Sequence, residues 1–249
     1  MNFFGITNIG MKRTVNQDSF IVKEYESGLL AVVCDGMGGA SGGEEASATA
    51  VAAFSGYTDI NFAPEGGEVT AVGEEGVRDV LLSGVRAANN AVYAAAKENS
   101  FLDGMGTTLV SAFVSEGKVY AVNVGDSRMY IVKGDTISQV TRDHSYVQYL
   151  VDIGKLTADE AKTANNKNII TRAIGTEAEV EADFYAVDIG AEGGFVLLCS
   201  DGLTNHISEK EIVSCITEAE DPEAACGELI NRANLGGGSD NITAVIISM

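Results

Sequence analysis

The sequence predicts an α+β fold in which two antiparallel β-sheets are covered by helices. Short runs of apolar or alternating residues, separated by turns rich in glycine and aspartate, are typical of hairpin strands. Long helical stretches stand between groups of these strands, which argues against a repeating βαβ array. No internal repeat or long linker divides the 249 residues, so we expect one domain over 1–249.

The N-terminal half begins with three predicted strands, at residues 3–7, 19–25 and 29–34, and a polar loop separates the first two. An alanine-rich stretch at 44–54 predicts a helix, and 61–76 is expected to be a loop. A second helix is predicted at 77–98, where apolar residues recur at helical spacing. Its apolar face comprises Val77, Val80, Leu81, Val85, Ala88 and Val92.

The C-terminal half begins with a meander of predicted strands at 107–114, 118–124, 127–133 and 137–140. A polar insertion at 145–168 interrupts the meander and contains a helical piece at 157–163. Strands resume at 181–188 and 194–199, and the last is expected at 241–248. Two helices are predicted between them. One begins at Ser208, where Glu211 has capping-box spacing, and the other begins at Asp221-Pro222 and runs to about Ala233.

Composition and charge exclude several classes of function. Lysine and arginine total 16 against 36 aspartates and glutamates, and a formal charge of −20 disfavours nonspecific binding to nucleic acid or anionic membranes. No apolar run approaches the roughly 20 residues of a membrane span, and the first residues lack the features of a secretion signal. We therefore expect a cytoplasmic protein. Its four cysteines have no close-paired spacing, as expected for buried thiols in a reducing compartment.

Three aspartates stand at the ends of apolar strand patterns. Asp35 follows the run LLAVVC and precedes a glycine-rich turn, and Asp201 follows FVLLCS in the same way. Asp240 stands in GGGSDNITAVII, just before the strand. Because all three share this context, the pattern predicts that they meet in one site. The alternative is that each aspartate caps a turn, since Asp-Gly and Ser-Asp are ordinary loop sequences.

A cluster of carboxylates favours divalent metals. Two carboxylates 4 Å apart repel by about 4 kcal/mol at an effective dielectric near 20, so the cluster requires protons or cations at neutral pH. Ligands that offer only oxygen favour magnesium or manganese, and the sequence shows no cluster of cysteine and histidine suited to zinc.

A series of short motifs resembles the metal-dependent protein phosphatase family, the protein phosphatase 2C-like serine/threonine phosphatases in their compact bacterial form. The resemblance extends from Arg13 to the last strand. In order, the motifs are RTVNQD (13–18), DGMGG (35–39), GMGTTL (104–109), GDSR (125–128), TRDHS (141–145), TRAIG (171–175), SDG (200–202) and SDN (239–241).

The resemblance implies a central β-sandwich of two antiparallel sheets flanked by helix pairs, in α-β-β-α layers, with two manganese or magnesium ions at one end of the sandwich. On this sequence, Asp35 would bridge both ions and Gly36 would offer its backbone carbonyl, while Asp201 and Asp240 would bind the first ion. Asp18 would hold water in the outer shell of the metals. The implied reaction is hydrolysis of phosphoserine and phosphothreonine by a metal-bridging water, which requires no protein nucleophile.

Two further residues have both a catalytic and an ordinary interpretation. Asp126 in GDSR matches a position that helps to bind a third, weaker metal in bacterial members, but it is also a plausible turn residue. Arg13 is suited to clamp the phosphate, because a guanidinium can bind two phosphate oxygens at once. Without the resemblance, Arg13 would be read as a solvated loop residue beside Lys12.

The chain departs from many relatives at two positions. Met37 stands where many eukaryotic members have a histidine that protonates the leaving alcohol, so another group or a metal-bound water must supply that proton. Gln17 replaces a glutamate, which removes one anionic contact near the metals. His144 could reach the site, although a structural role is the more common one for such a histidine.

The insertion at 145–168 corresponds to the flap of bacterial relatives, and we expect it to govern substrate choice and the occupancy of the third metal site. The expected partners are phosphoserine and phosphothreonine proteins and a Hanks-type kinase that the phosphatase opposes, with the chain acting as a monomer. Two alternatives remain open. One is a phosphatase restricted to a single regulatory phosphoprotein, such as an anti-sigma-factor antagonist, and the other is a catalytically silent metal-binding module.

Overall fold

The computed structural model describes residues 1–63, 73–164, 166–190 and 193–249. Its strands form two antiparallel sheets. The first contains, in spatial order, β1 (Asn2–Asn8), β11 (Ile242–Ser248), β10 (Phe195–Cys199), β7 (Arg128–Lys133) and β8 (Thr136–Gln139). The second contains β2 (Asp18–Tyr25), β3 (Gly28–Met37), β5 (Leu109–Ser115), β6 (Lys118–Val124) and β9 (Asp183–Asp188), and the short β4 (Gly106–Thr107) pairs with the end of β3.

Helices cover the outer face of each sheet. The long helices α1 (Gly39–Phe62) and α2 (Gly73–Glu98) pack on the second sheet, and α6 (Glu209–Thr217) and α7 (Pro222–Leu235) pack on the first. Shorter helices are α3 (Tyr146–Asp152), α4 (Ala158–Thr163) and α5 (Asp201–Thr204), and a 3₁₀ turn lies at Ser100–Leu102. The predicted α-β-β-α layering is confirmed.

Strand β3 contains the run LLAVVC, in which apolar residues do not alternate with polar ones. Leu29, Ala31 and Val33 lie in the core between the two sheets, whereas Leu30, Val32 and Cys34 lie in the core beneath α1 and α2. A strand that is buried on both faces is apolar at successive positions. The run therefore ends at Asp35 because this is where the strand leaves the core, and the carboxylate is placed at the edge of the sandwich.

The observed boundaries differ from the predicted ones mainly in the helices. Helix α1 begins at Gly39 and ends at Phe62, so it is longer than the predicted 44–54. Helix α2 begins at Gly73, and most of the predicted loop at 61–76 lies outside the described residues. The remaining strands agree with the predictions to within one or two residues at most ends.

The predicted capping boxes of α4 and α6 are present, with Thr157 paired to Glu160 and Ser208 to Glu211. Helix α3 is a feature that the sequence reading missed. Its Ser145 side chain accepts a hydrogen bond from the Gln148 backbone N at 3.2 Å. Ser-x-x-Gln is itself a capping signal, but the aromatic and β-branched residues that follow have weak helix propensity and obscured it.

All four cysteines are free and buried, as expected. Among the helices of the described residues, none combines the length and apolar character that a membrane crossing requires. The division of the chain into one domain stays a prediction.

Candidate active site

A cleft of about 430 Å³ lies at one end of the sandwich, where both sheets contribute to its lining. From the second sheet, β3 contributes Asp35 at its C-terminal end. From the first sheet, Asp201 follows β10 and Asp240 precedes β11, and these two strands are antiparallel neighbours. The end of β10 and the start of β11 therefore meet, so two residues 39 positions apart in the sequence come to line the same cleft.

Asp35 is held in place through its backbone. Its N–H donates to Thr108 Oγ1 at 2.9 Å, and its carbonyl accepts from Thr107 Oγ1 and from the Thr108 N–H, both at 2.8 Å. The two threonines belong to the GMGTTL motif, for which the sequence offered no role. Their function in the fold is to fix the end of β3, so that the carboxylate of Asp35 projects from a rigid backbone.

Asp18 lies directly opposite Asp35 in the β2–β3 pairing and is buried. Its Oδ2 accepts hydrogen bonds from Ser200 Oγ and Thr243 Oγ1, both at 2.7 Å. Its Oδ1 is buried without a hydrogen-bond partner in the structure. A buried carboxylate oxygen without a donor is costly, which makes this atom a suitable acceptor for a bound water or cation.

Asp201 is the first residue of α5, and its Oδ2 accepts a hydrogen bond from Asn205 Nδ2 at 2.9 Å, one helical turn away. Asp240 precedes Asn241, whose side chain joins the segment that carries Asp240 to the N-terminal loop between β1 and β2. Asn241 Nδ2 donates to the carbonyls of Ile9 and Val15, both at 3.0 Å, and its Oδ1 accepts from the Gln17 N–H at 2.8 Å.

Asp126 lies in the turn between β6 and β7 and also lines the cleft. Two residues on, Arg128 makes a bidentate ion pair with Asp143, with Nη2 to Oδ2 at 2.6 Å and Nε to Oδ1 at 2.9 Å. Because bidentate pairs have a fixed geometry, this one anchors the turn that carries Asp126.

Four carboxylates in or beside the cleft, those of Asp18, Asp35, Asp126 and Asp201, have raised pKa values. Burial raises the pKa of Asp35 well above its usual range, and the negative charge of Asp18 adds to the rise. Burial also raises the pKa of Asp126 to about 8, with a contribution from Asp201. The pKa of Asp18 is raised to about 6, mainly by burial, although its hydroxyl partners act in the opposite direction. The pKa of Asp201 is raised by burial and then by Asp240.

These shifts have two causes, of which burial is the larger because it disfavours the charged carboxylate, and the negative charge of neighbouring carboxylates adds to it. Within the part of the chain that the structure describes, no three His, Cys, Asp or Glu side chains are grouped closely enough to hold an ion as they stand. Asp35 and Asp201 nevertheless line the same cleft, and neighbouring negative charges contribute to the raised pKa of each, so these carboxylates lie close together.

Arg13 also lines the cleft, as the sequence predicts, but its partner there is a carboxylate. Its Nη2 donates to Asp240 Oδ2 at 2.8 Å, and about half of the arginine side chain is exposed. The guanidinium is therefore at the mouth of the cleft and remains accessible to a ligand.

Gly36, Met37 and Gln17 lie next to the aspartates, and the packing around Gly36 leaves no room for a side chain. Gly36 is buried, and a Cβ there would lie 2.0 Å from the Gly43 carbonyl oxygen and 2.7 Å from that of Gln17, so only glycine fits. Met37 and Gln17 both line the cleft. The thioether of Met37 has no proton to give, so this side chain cannot act as a general acid.

His144 does not belong to the residues that line the cleft. It is buried, its Nδ1 accepts from the Gly125 N–H at 3.2 Å, and its Nε2 lies 3.3 Å from Asp183 Oδ2. The structural role suggested by the sequence is the one observed. The cleft also contains residues that the sequence reading missed, among them Thr108, Asn168 and Ile170. The neighbouring motifs GMGTTL and TRAIG were the available signals.

Comparison with known proteins identifies the class of this chain. The model of the family described as protein phosphatase 2C matches residues 11–231. Protein phosphatase PhpP of Streptococcus pneumoniae is 37% identical over 248 residues, which cover 98% of this chain and 96% of the relative. The chain therefore belongs to the protein phosphatase 2C family, and it is a metal-dependent protein serine/threonine phosphatase.

Solved structures agree in fold over nearly the full length. The serine/threonine phosphatase Stp1 from Staphylococcus aureus has a TM-score of 0.90 at 32% identity, covering 100% of this chain and 95% of its own. The catalytic domain of the serine/threonine protein phosphatase PstP, solved in complex with 2 manganese ions, has a TM-score of 0.82 at 32% identity, with coverage of 98% and 96%.

Proposed function

We propose that this phosphatase binds two Mn²⁺ or Mg²⁺ ions through Asp35, Asp201, Asp240 and the carbonyl of Gly36. The observation that carries the proposal is the single cleft in which these residues meet, at the junction of β3, β10 and β11. Asp35 lies on one sheet and the other two aspartates on the opposite one, so an ion between them would be held by both halves of the sandwich.

The donor set fits hard divalent cations. The side chains proposed as ligands offer only carboxylate oxygens, which suit magnesium and manganese better than softer metals. Burial and the negative charge of neighbouring aspartates raise the pKa values of Asp35 and Asp201. A bound metal cation would offset this negative charge. The unpartnered Oδ1 of Asp18 is a further acceptor close to this charge, and it supports the proposed role of Asp18 in holding water beside the ions.

Two divalent ions, when bound, lower the pKa of a shared water and neutralise charge on a phosphoryl group. The protein contributes orientation. Thr107 and Thr108 fix the backbone of Asp35, and Arg13 stands at the mouth of the cleft with its guanidinium accessible. We propose that Arg13 exchanges its contact with Asp240 for two oxygens of the substrate phosphate, because a guanidinium binds phosphate in this bidentate way.

Asp126 is proposed to contribute to a third, weaker metal site. It lines the same cleft, and the negative charge of Asp201 contributes to the raised pKa of Asp126, so the two carboxylates are near enough to repel each other. The ion pair between Arg128 and Asp143 keeps the turn that carries Asp126 in place. It does not fully neutralise the charge of Asp126, because Arg128 lowers the pKa of Asp126 while Asp143 raises it. Asp126 is therefore more than a turn residue in this proposal.

The flap at 145–168 is proposed to select substrates. A second cavity of about 680 Å³ lies between the flap and the α5–α6 segment, and it shares Asp126 and Asp201 with the catalytic cleft. Val147 and Val151 line it from the flap, and Ile207 and Ile212 from the opposite side. We propose that the polypeptide next to the phosphorylated residue lies in this groove, whose apolar walls suit an apolar neighbour of the phosphoresidue.

The proposed substrates are phosphoserine and phosphothreonine proteins, whose phosphate must be placed there by a protein kinase. We propose a bacterial Hanks-type kinase as the opposing enzyme, a cytoplasmic location and a monomeric state. The excess of negative charge predicts slower reaction with strongly acidic phosphopeptides, since like charges slow association.

The decisive experiment is phosphate release from a phosphothreonine peptide, with and without manganese, for three proteins. These are the wild type, Asp35→Asn, and the control Asp135→Asn, which makes the same charge change in the exposed turn between β7 and β8. We expect manganese-dependent release that Asp35→Asn abolishes and Asp135→Asn preserves. Metal binding without release by the wild type would instead support a silent metal-binding module. Release from one physiological phosphoprotein but not from a peptide panel would indicate a narrow substrate range.

A further inference from the structure

His206 joins the segment that carries Asp201 to the segment that carries Asp240. It stands just after α5, whose first residue is Asp201, and its half-buried ring contacts the loop of three glycines that precedes Asp240. Both ring nitrogens contact this loop. Nδ1 lies 3.1 Å from the Gly236 carbonyl oxygen, and Nε2 accepts the Ser239 N–H at 2.9 Å.

These partners determine which nitrogen carries the proton. A backbone N–H can only donate, so Nε2 must be the unprotonated nitrogen that accepts from Ser239. Nδ1 then carries the proton and donates it to the Gly236 carbonyl, which can only accept. The Ser239 hydroxyl also lies 2.8 Å from Nε2, so Ser239 approaches the ring with two groups. The ring thus binds both ends of the glycine loop in one orientation.

The glycine loop is shaped around this ring. Gly237 has φ +127°, in the region that favours glycine, and a Cβ there would lie 3.4 Å from His206 Cε1. A Cβ at Gly236 would lie only 2.8 Å from the His206 carbonyl oxygen. Backbone hydrogen bonds to α7 hold part of this loop, because the N–H groups of Gly237 and Gly238 donate to the carbonyls of Asn234 and Ala233. The two hydrogen bonds that His206 makes further reduce the conformational freedom that glycine brings to the loop.

The two segments also touch beside the carboxylates. A Cβ at Gly202 would lie 2.0 Å from the Asn241 carbonyl oxygen, so the residue after Asp201 packs against the residue after Asp240. The segments are therefore in contact at two points, one beside the carboxylates and one at His206. The glycine loop is also held by its hydrogen bonds to α7 and by the Met11 N–H, which donates to the Gly238 carbonyl at 2.7 Å. His206 adds to these restraints a direct link to the segment that carries Asp201.

We propose that His206 is a positioning residue for Asp240, and that it sets the separation between Asp201 and Asp240 at which a divalent ion binds. The proposal rests on the metal-ligand roles proposed above for these two aspartates. His206 itself contacts neither the metal nor the substrate in this proposal. It acts through Ser239, whose position determines where the next residue, Asp240, presents its carboxylate.

The test is Mn²⁺ binding to the metal-free full-length protein, measured by titration calorimetry. We expect His206→Ala to raise the dissociation constant for Mn²⁺ by about tenfold, as is typical when a group that orients a metal ligand is removed. His206→Gln places an acceptor near the position of Nε2 and retains the Ser239 contact. His206→Asn places an amide near Nδ1 and retains the Gly236 contact. Because Ser239 precedes Asp240, Gln is expected to restore more affinity than Asn.

The control is Asp221→Ala at the opposite end of α7. Asp221 accepts the Ala224 N–H at 2.8 Å as the helix cap, and it is separated from Gly236 by about 20 Å of helix. We expect this substitution to lower the thermal unfolding midpoint of the metal-free protein, because it removes a helix cap. The charge that it removes lies beyond the screening length from the glycine loop in ordinary buffer. We expect it to leave the Mn²⁺ dissociation constant unchanged.

A positioning role requires that the affinity for Mn²⁺ falls further in His206→Ala than in the control Asp221→Ala. Equal affinity in His206→Ala and wild type would overturn the inference, and so would a loss of affinity that Asp221→Ala reproduces. If the wild type bound no Mn²⁺ at all, the ligand roles of Asp201 and Asp240 would fail and the inference with them. If the wild type bound Mn²⁺ and the His206 variants bound it equally well, the ligand roles of Asp201 and Asp240 would be unaffected and this inference alone would fail.

Discussion

Arg13 Nη2 donates to Asp240 Oδ2 at 2.8 Å and so joins residues that are 227 positions apart in the sequence. The contact ties the N-terminal loop to the segment before the last strand, at the mouth of the proposed catalytic cleft. It also places the proposed phosphate clamp on a proposed metal ligand. The same guanidinium can therefore neutralise a carboxylate before substrate binds and a phosphate afterwards.

For Arg13→Ala, we expect kcat/KM for a phosphopeptide to fall by roughly 10- to 100-fold, corresponding to the loss of a charge-assisted hydrogen bond of about 1.5–3 kcal/mol. Arg13→Lys should restore part of the loss, since lysine keeps the charge but not the bidentate geometry. Steady-state kinetics with the peptide measures both. If Arg13→Ala instead tightened manganese binding and left KM unchanged, Arg13 would serve only to neutralise Asp240.

Asp35→Asn should separate stability from activity. The amide removes a charge whose burial and repulsion raise the pKa of Asp35, so the metal-free protein should become more stable at neutral pH. For a chain of this length, each kcal/mol gained raises the thermal midpoint by about 2–4 °C. Calorimetric unfolding in a chelating buffer measures the shift, while phosphatase activity is lost. An unchanged or lower midpoint would contradict the electrostatic account of the cleft.

We expect the lowered pKa of His144 to reduce the free energy of unfolding in acid. Burial lowers its pKa below the ordinary value of 6.5, although Asp183 acts in the opposite direction and Arg172 in the same one. Between the lowered pKa and 6.5 the unfolded chain binds more protons than the folded one, so the free energy of unfolding falls as pH falls. Denaturant titrations of wild type and His144→Asn between about pH 7.5 and 5.5 should show a shallower acid dependence in the variant. Parallel curves would rule out His144 as the source.

Gly36→Ala should destabilise the protein strongly. The added Cβ would lie 2.0 Å from the Gly43 carbonyl oxygen, and a backbone atom cannot move aside as a side chain can. Gly56→Ala is the matched control, because it lies within α1 with nothing within 4 Å of its Cβ. We expect the control to stabilise by about 1 kcal/mol through helix propensity, as measured by denaturant unfolding. Similar effects at both positions would show that the close packing at Gly36 is relieved easily.

Removal of the flap should affect large substrates selectively. Replacing 146–167 with a short glycine-serine linker removes one wall of the groove but none of the proposed metal ligands. We expect kcat/KM to fall for phosphopeptides, most of all for those with an apolar residue beside the phosphoresidue, and to change little for a small aryl phosphate. Equal losses for both kinds of substrate would remove the flap from substrate selection.

Much of this architecture could be predicted from the sequence. The β6 strand was predicted with its observed ends, because its alternation is unbroken between two turns. Helix α1 was predicted too short, since the glycines at its start carry no helical signal and tertiary packing extends it. Helix α3 was missed because aromatic and β-branched residues are ambiguous over one or two turns.

The sequence by itself determined the family, the layered fold and the set of aspartates at strand ends, because apolar periodicity and motif order are local properties of the chain. Only the tertiary structure decided what those aspartates contact. The pairing of Arg13 with Asp240, the threonines that hold Asp35 and the ring of His206 between two loops all join residues distant in the sequence. Such contacts depend on how the two sheets bring their strand ends together, and no local pattern records that geometry.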